Sequence, residues 1–284
     1  MTGRTVVITG GNAGIGKATA VGLAGLGARV LITSRNAERG SAAVDEIRGA
    51  TGNDAVESVS LDLASLASVR SCAKELLDRV DTVDVLDLNA GGVLSQRQVT
   101  EDGYEAQFQV NHLGHFLLTH LLLDRLRSSA PSGRVVVLSS WGHTQARAGL
   151  YFDDLQWERR PYRGMAVYGA TKLMNLFFAF ELARRLEGTS VTANAMHPGF
   201  VASKFGREGD TRLLRIGILI ARPFARSPKK GARTAVWLAS SPDVDGASGG
   251  YYIDCKRSEP SSAAQDAEAA KRLWEVSEQL AGIS

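Results

Sequence analysis

Tyr168 and Lys172 stand four residues apart in the stretch Tyr168-Gly169-Ala170-Thr171-Lys172. On a helix, residues at that spacing share a face, and the next run, 173–186, is rich in helix formers. An ammonium beside a phenol favours the phenolate and draws the phenol's pKa down from about 10 toward neutrality. Such a pair gives or takes a proton near neutral pH. Taken alone, the spacing is equally that of an ordinary helix with one surface tyrosine and one surface lysine. The chemical reading depends on what else the chain supplies.

A glycine-rich stretch, Thr9-Gly10-Gly11-Asn12-Ala13-Gly14-Ile15-Gly16, comes after an apolar run and opens an amphipathic one. Glycines let the backbone turn tightly and approach a pyrophosphate, which then rests on a helix N-terminus. The spacing of Gly10, Gly14 and Gly16 departs from G-x-G-x-x-G. Gly11-x-x-x-x-Gly16-Lys17-Ala18 approximates a P-loop, but Ala18 replaces the Ser or Thr that would hold Mg²⁺. With Asp84 and Asp87 as a mimic of a metal-binding strand, nucleotide hydrolysis stays open, as does a turn that serves only packing. The second apolar run ends Thr33-Ser34-Arg35, with no acid to bind the ribose hydroxyls of NAD. The planar fork of Arg35 suits a phosphate, so NADP(H) is preferred over NAD(H), unless Arg35 only begins the surface of the next helix.

Together these residues resemble the short-chain dehydrogenase/reductase family. The family pattern implies Thr-Gly-x-x-x-Gly-x-Gly, matched from Thr9 to Gly16, with Gly10, Asn12, Gly14, Ile15 and Gly16 against the cofactor beside Ser34 and Arg35. It implies Asp62-Leu63 after the third strand and Asn89-Ala90-Gly91 after the fourth. Asn111 on the next helix, Ser140 after the fifth strand and Pro198-Gly199 after the sixth complete it, with Val201 and Ser203 just beyond. The match spans about residues 4–255. Within the family, the stretch 110–119, His197-Pro198-Gly199 and the tail 252–280 are similar to the branch of retinol dehydrogenases and protochlorophyllide reductases. Leu88 departs from the usual Asn-Asn-Ala-Gly, and Ser203 stands where Thr is common.

The resemblance implies catalytic roles. Tyr168 would protonate a carbonyl oxygen as hydride reaches the carbon, and Ser140 would donate a second hydrogen bond to that oxygen. Lys172 would lower the phenol's pKa and grip the nicotinamide ribose. Asn111 would hold a water joining Lys172 to solvent. Ser139 and Ser140 point to opposite sides of a strand, and the family register selects Ser140.

To bring these residues together the chain needs a particular scaffold. Apolar runs at 5–9, 29–33, 56–61, 83–88, 134–139, 191–196 and 250–254 alternate with helical stretches at 15–26, 37–50, 66–79, 103–127, 165–186 and 230–239. The alternation predicts an α/β fold, a Rossmann-type doubly wound parallel sheet of about seven strands in a three-layer αβα arrangement. Solid Val/Ile/Leu runs suit strands covered on both faces. One domain over 1–284 is expected, with loops near 141–164 and 203–227 after strand ends, where open α/β sheets bind ligands. The tail 256–284 is expected to hold a helix at 263–280. Trp141, Tyr151, Phe152 and Trp157 would border a substrate cleft. Leu213, Leu214, Ile216, Ile218, Leu219, Ile220 and Phe224 would form an apolar lid or a packing surface.

Bulk properties narrow the function classes. A chain of 284 residues, 44% hydrophobic, is long enough for that core. With 33 basic and 30 acidic residues the net charge is +3, too balanced for nucleic-acid binding. Two distant cysteines, Cys72 and Cys255, form neither a disulfide framework nor a zinc site, and point to the cytoplasm. Met1 leads almost directly into the first apolar run, which leaves no room for a signal peptide, and the apolar run 216–221 is too short to span a bilayer. His112, His115 and His120 lack carboxylate or thiolate companions at ligand spacing, so no metal is expected. The expectation is an NADP(H)-dependent oxidoreductase interconverting a carbonyl and an alcohol on a hydrophobic small molecule, in the reductase direction. Reduction of a carbon–carbon double bond and a catalytically silent NADP-binding regulator are the alternatives. A homodimer or homotetramer through helices 103–127 and 165–186 stays open, since the loop before Tyr168 would obstruct it.

Overall fold

A computed structural model describes residues 1–129, 132–201 and 225–283. Eight strands form one sheet in the order β3-β2-β1-β4-β5-β6-β7-β8. They are β1 (Thr5–Ile8), β2 (Arg29–Ser34), β3 (Val56–Ser60), β4 (Val85–Leu88), β5 (Arg134–Leu138), β6 (Thr192–His197), β7 (Tyr251–Ile253) and β8 (Lys256–Arg257). Every pairing is parallel except β7 with β8. The chain begins in the middle, winds outward to β3, and returns to place β4 on the other side of β1. That reversal opens a crevice at the carboxyl ends of β1 and β4, where doubly wound sheets take their ligands.

The helices are α1 (Gly14–Gly25), α2 (Ala37–Thr51), α3 (Leu66–Arg79), α4 (Gly114–Arg127), α5 (Gly164–Arg185), α6 (Pro228–Ser240) and α7 (Ala267–Ala281). Several start where the sequence supplies a cap, the side chain accepting from a free backbone N–H of the first turn. Asn36 accepts from Arg39 N at 2.8 Å, and Asp266 from Ala269 N at 2.9 Å. The starts of α3 and α6 are capped by Ser65 and Ser227. Helices cover both faces of the sheet. On one face α1, α2 and α6 pack small residues such as Ala20, Ala24, Ala43 and Ala235 against Val6, Ile8 and Ile32. On the other α3, α4, α5 and α7 enclose a bulkier core with Phe108, Phe116, Phe177, Phe178 and Trp274.

Three local features differ from expectation. The stretch read as one helix over 103–127 begins with a turn at Ala106–Phe108 and a π-helical segment, Gln109–Leu113, before α4. The Gly114 N–H bonds to the carbonyl of Gln109, five residues back. Periodicity cannot separate such a widened turn from an α-helix. An eighth strand, β8, comes after a two-residue hairpin whose loop residues, Asp254 and Cys255, both have positive φ, 52° and 60°. That geometry is the one Asn-Gly normally signals, so Asp-Cys conceals it. The tail helix starts at Ala267, because Ser262–Gln265 is a 3₁₀ turn and Asp266 caps α7. It lies on α4 and α5: the Trp274 ring stacks on Phe178 with centroids 6.0 Å apart and meets Phe116 edge-on at 4.8 Å. His112 Nε2 and the Ser277 hydroxyl are 2.8 Å apart in the same seam. Among the described residues, no helix is long and apolar enough to cross a membrane.

Candidate active site

The cofactor-side wall is built from backbone. Gly10 has φ +66°, and a Cβ on it would stand 3.0 Å from the Ala90 Cβ. A Cβ on Gly16 would lie 2.6 Å from the Gly10 carbonyl oxygen, and one on Gly11 2.5 Å from the Ile32 Cγ2. Only glycine fits this turn. Ala13, the N-cap of α1, makes no side-chain cap bond, and the first turn holds no acid. The leading N–H groups at Gly14, Ile15 and Gly16 are therefore presented to the crevice, the arrangement that binds a pyrophosphate. These residues fit a dinucleotide, with Asn12 half-buried on the same turn.

Thr9 ties this turn to β4. Its hydroxyl accepts from Asn89 N at 2.9 Å and Ala90 N at 3.0 Å, while Asn89 Nδ2 donates to the Thr9 carbonyl at 3.0 Å. The same hydroxyl lies 2.9 Å from His115 Nε2, and His115 Nδ1 lies 3.3 Å from the Asn111 carbonyl. Burial holds the His115 pKa down at about 4, so the ring is neutral and joins the glycine turn to Asn111. At the end of β2 the Ser34 hydroxyl donates to the Asn36 carbonyl at 2.8 Å, and Arg35 is exposed beside it. Asp62 turns inward on its own loop, accepting from Ala64 N at 3.0 Å, and the Leu63 side chain is buried in the core.

The catalytic wall is built from side chains. Tyr168 and Lys172 lie on α5, 8% and 2% exposed, with Lys172 Nζ 5.6 Å from the centroid of the Tyr168 ring. The Ser140 hydroxyl is hydrogen-bonded to the phenol and accepts from Gly142 N at 3.1 Å. A Cβ on Gly142 would lie 3.2 Å from the Tyr168 ring and 3.5 Å from the Ser140 Oγ, which fixes how closely the three converge. Ser139 faces the other way, its hydroxyl donating to the Lys172 carbonyl at 2.8 Å. Lys172 Nζ donates to the Leu138 carbonyl at 3.0 Å. Gly91 bridges the walls, since a Cβ there would stand 2.9 Å from Asn111 Oδ1 and 3.5 Å from Lys172 Nζ.

Asn111 sits in the π-helical segment with its amide fully engaged. Its Nδ2 donates to the Gly92 carbonyl at 2.9 Å and Thr171 Oγ1 at 3.0 Å, and its Oδ1 accepts from Gly92 N at 2.9 Å. The side chain thus pins the loop after β4 to the catalytic helix. Pro198 and Gly199 (φ +80°) come after β6, and a Cβ on Gly231 would meet Val201 Cγ2 at 2.6 Å and Ile15 Cγ1 at 3.5 Å, so Val201 stands over the glycine turn. Ser203 and the apolar residues 213–224 lie outside the described residues.

Two expectations are corrected. The sequence suggests a phenol made acidic by its lysine. In the structure burial pushes the Tyr168 pKa up to about 12, with the Ser140 hydrogen bond pulling against it, and burial brings Lys172 down to about 7. Desolvation dominates because both side chains are buried, which penalises the charged form of each. The phenol is therefore protonated there. Second, of the four aromatic residues expected at the cleft, only Trp141 stands beside the catalytic residues, next to Ser140 and 6.3 Å from the His197 ring. Tyr151 and Trp157 line a cavity with Ala166, Ala170 and Met174, the helix face opposite Tyr168 and Lys172. Phe152 lies under Arg272, whose guanidinium is 4.4 Å from its centroid.

His143 is a site residue that sequence reasoning misses, and His197 is legible only as part of the His197-Pro198-Gly199 motif. His197 Nδ1 accepts from Trp141 N at 3.2 Å, and His143 Nδ1 lies 2.7 Å from the Ser140 carbonyl. Their only sequence signal is position, one just before Pro198 and one three residues after Ser140. His112 and His115 are buried and His120 is exposed.

A family model described as short chain dehydrogenase matches residues 4–151. Retinol dehydrogenase 14 of Homo sapiens is 44% identical over 298 residues, which cover 100% of this chain and 88% of the relative. Retinol dehydrogenase 12 of Mus musculus is 46% identical over 281 residues, covering 99% and 87%. An uncharacterized Mycobacterium paratuberculosis protein of known structure superposes with a TM-score of 0.78 and 36% identity, over 99% of this chain and 94% of that one. The Pseudomonas aeruginosa RhlG/NADP active-site complex superposes with a TM-score of 0.69 and 25% identity, over 88% and 94%.

Proposed function

This chain belongs to the short-chain dehydrogenase/reductase family, whose members are NAD(P)-dependent oxidoreductases, and we propose that it is an NADP(H)-dependent reductase of carbonyl groups on hydrophobic small molecules. The observation that carries the reading is the convergence of Ser140, Tyr168 and Lys172 at the carboxyl end of β5, across Gly91 from the glycine turn.

The bound nicotinamide would supply the hydride. A substrate carbonyl oxygen placed between Ser140 and Tyr168 would receive one hydrogen bond from each hydroxyl. Tyr168, protonated at neutral pH, would pass its proton to that oxygen as negative charge builds on it. Lys172, at about 7, carries partial positive charge behind the phenol and would favour the phenolate left by proton transfer. Asn111, by clamping Gly92 and Thr171, would keep the two walls in register.

Arg35 supports NADP(H): it is exposed at the end of β2, in a Ser34-Arg35-Asn36 sequence with no acid to take the ribose hydroxyls. The solved RhlG complex names NADP as well. A hydrophobic substrate suits a rim where Trp141 is 59% and Phe200 54% exposed, and the retinol named for the relatives is an apolar alcohol. Both cysteines are free thiols, in keeping with the cytoplasm as the proposed setting.

The test is steady-state oxidation of NADPH and of NADH over a panel of apolar aldehydes and ketones, repeated with Arg35→Ala. NADPH should be favoured, and the variant should lose ~10–100-fold of that preference, the worth of a charge-assisted phosphate contact. An unchanged preference defeats the role of Arg35, and a saturated carbon–carbon bond in the product defeats the carbonyl reading.

A further inference from the structure

The imidazole of His143 is 1% exposed and makes two hydrogen bonds in opposite directions. Its Nδ1 lies 2.7 Å from the Ser140 carbonyl, and its Nε2 accepts from Ser261 N at 3.2 Å. A carbonyl can only accept and a backbone N–H can only donate. The neutral ring protonated on Nδ1 is the single form that satisfies both. Burial lowers the pKa of His143, which keeps that form at neutral pH. The ring is fixed edge-on against Tyr251 of β7, centroids 5.5 Å apart.

Ser261 is the residue from which the C-terminal segment departs. It opens the 3₁₀ turn Ser262–Gln265, whose Ala264 is 1% exposed in the core, and α7 begins directly afterwards. That helix is anchored on the neighbouring helical layer by Trp274 on Phe178 and by Ser277 at His112. The backbone of Ser140 is therefore joined through one ring to the segment that leads into α7.

We propose that His143 is a positioning residue through which the C-terminal segment holds Ser140 in place, so that a break in the tail's single bond to this ring loosens the catalytic serine. The inference rests on the role proposed for Ser140 in the reaction, but not on the identity of the substrate. Ser140 needs such support. Its hydroxyl must meet Tyr168 while its own backbone turns from β5 into the Trp141–Gln145 3₁₀ helix, and a donor misplaced by a fraction of an ångström loses much of its effect.

Ser261→Pro breaks the link from the tail side. Proline has no N–H to donate, its ring suits the native φ of −59°, and its Cδ takes the place of the N–H and pushes the His143 ring away from the tail. The lost hydroxyl has no hydrogen-bond partner among the described residues. We expect this variant to lose kcat by about 10-fold while KM for NADPH moves by less than about 2-fold, a split that a general loss of folding would not give. Hydrogen exchange of a peptide spanning 139–146 should quicken by roughly 10-fold, while peptides from the other strands keep their native exchange. His143→Phe, which keeps a ring against Tyr251 and loses both bonds, should show the same pattern more strongly. Native exchange in that peptide, in either folded variant, overturns the proposal. So does a nitrogen NMR spectrum of the unaltered chain showing His143 protonated on Nε2. If the unaltered enzyme reduces no carbonyl, the functional reading fails, and exchange and tautomer still decide this one.

Discussion

The two walls of the crevice are made of different material. The cofactor side, from Thr9 to Gly16, offers backbone: bare N–H groups, glycines pressed against neighbouring carbonyls, and one hydroxyl, that of Thr9, gathering the amides of Asn89 and Ala90. The catalytic side, Ser140, Tyr168 and Lys172, offers side chains whose proton affinities are displaced by burial. A backbone wall is sensitive to added volume and indifferent to titration. A side-chain wall tolerates changes that keep its shape but fails when one functional atom is removed. The same fold can therefore be damaged in two ways that experiments can tell apart.

The largest effect should come from the catalytic side with the least structural disturbance. Tyr168→Phe removes one buried oxygen; turnover should fall about 10³-fold, within the range for a lost general acid, with NADPH affinity and melting temperature nearly native. Near-native reduction rates would end the proton-donor assignment. Lys172→Met should cost turnover about 10²-fold and yet stabilise the fold by about 1–3 kcal/mol, the pattern of a site kept for function. The Leu138 carbonyl keeps its bond from Asn175 Nδ2 at 3.0 Å, so little is left unpaired. The pH dependence sharpens this. Because the folded-state pKa of Lys172 is depressed to about 7 from 10.5, the folded chain binds fewer protons between those values. Its stability should rise with pH across that window, and the variant should lose that slope.

On the backbone wall the order of damage reverses. Gly16→Ala inserts one methyl 2.6 Å from the Gly10 carbonyl and should weaken NADPH binding ~10–100-fold, as overpacking of about 1–3 kcal/mol requires. Gly25→Ala on the same helix meets nothing nearer than Thr51 Cγ2 at 3.9 Å and should leave binding untouched. Titration calorimetry separates them, and equal losses would erase the distinction between the walls. The smallest effect concerns Asp87 in β4, 2% exposed, whose Oδ2 has no partner among the described residues and whose pKa burial raises to about 7. The folded chain holds this proton longer than the unfolded one, so stability should fall as pH climbs from about 4 to 7. Asp87→Asn should therefore stabilise the protein by about 1–3 kcal/mol at pH 8 and by much less at pH 5. A constant difference between the two would show that Asp87 does not titrate in that range.

Much of this arrangement is legible in the sequence. A four-residue interval on a helix puts Tyr168 and Lys172 on one face, and solid Val/Ile runs bounded by glycine turns give the parallel strands. Other features depend on environment. Lysine next to tyrosine reads as an acidified phenol, because the letters show the charge but not the desolvation that overrides it. The π-helical segment at Asn111 shares its periodicity with an α-helix to within one residue. Tyr151 and Trp157 lie near Tyr168 in the chain and behind it in space, since the loop before α5 packs them on the helix face opposite Tyr168. His143 passes unnoticed, and His197 is seen only as the neighbour of Pro198, because each acts through a main-chain atom of another residue.

The hairpin at β7 and β8 carries a consequence for one margin of the sheet. A sheet margin with open amides invites a strand from a neighbouring molecule. One of the sheet's two margins is β8, only Lys256 and Arg257, both exposed and both cationic. A second copy approaching edge to edge would bring the same two positive charges against them, with two residues of backbone to gain in return. The turn at Asp254 and Cys255, strained as it is, thus closes this margin on a short charged stub that offers an incoming strand little to pair with.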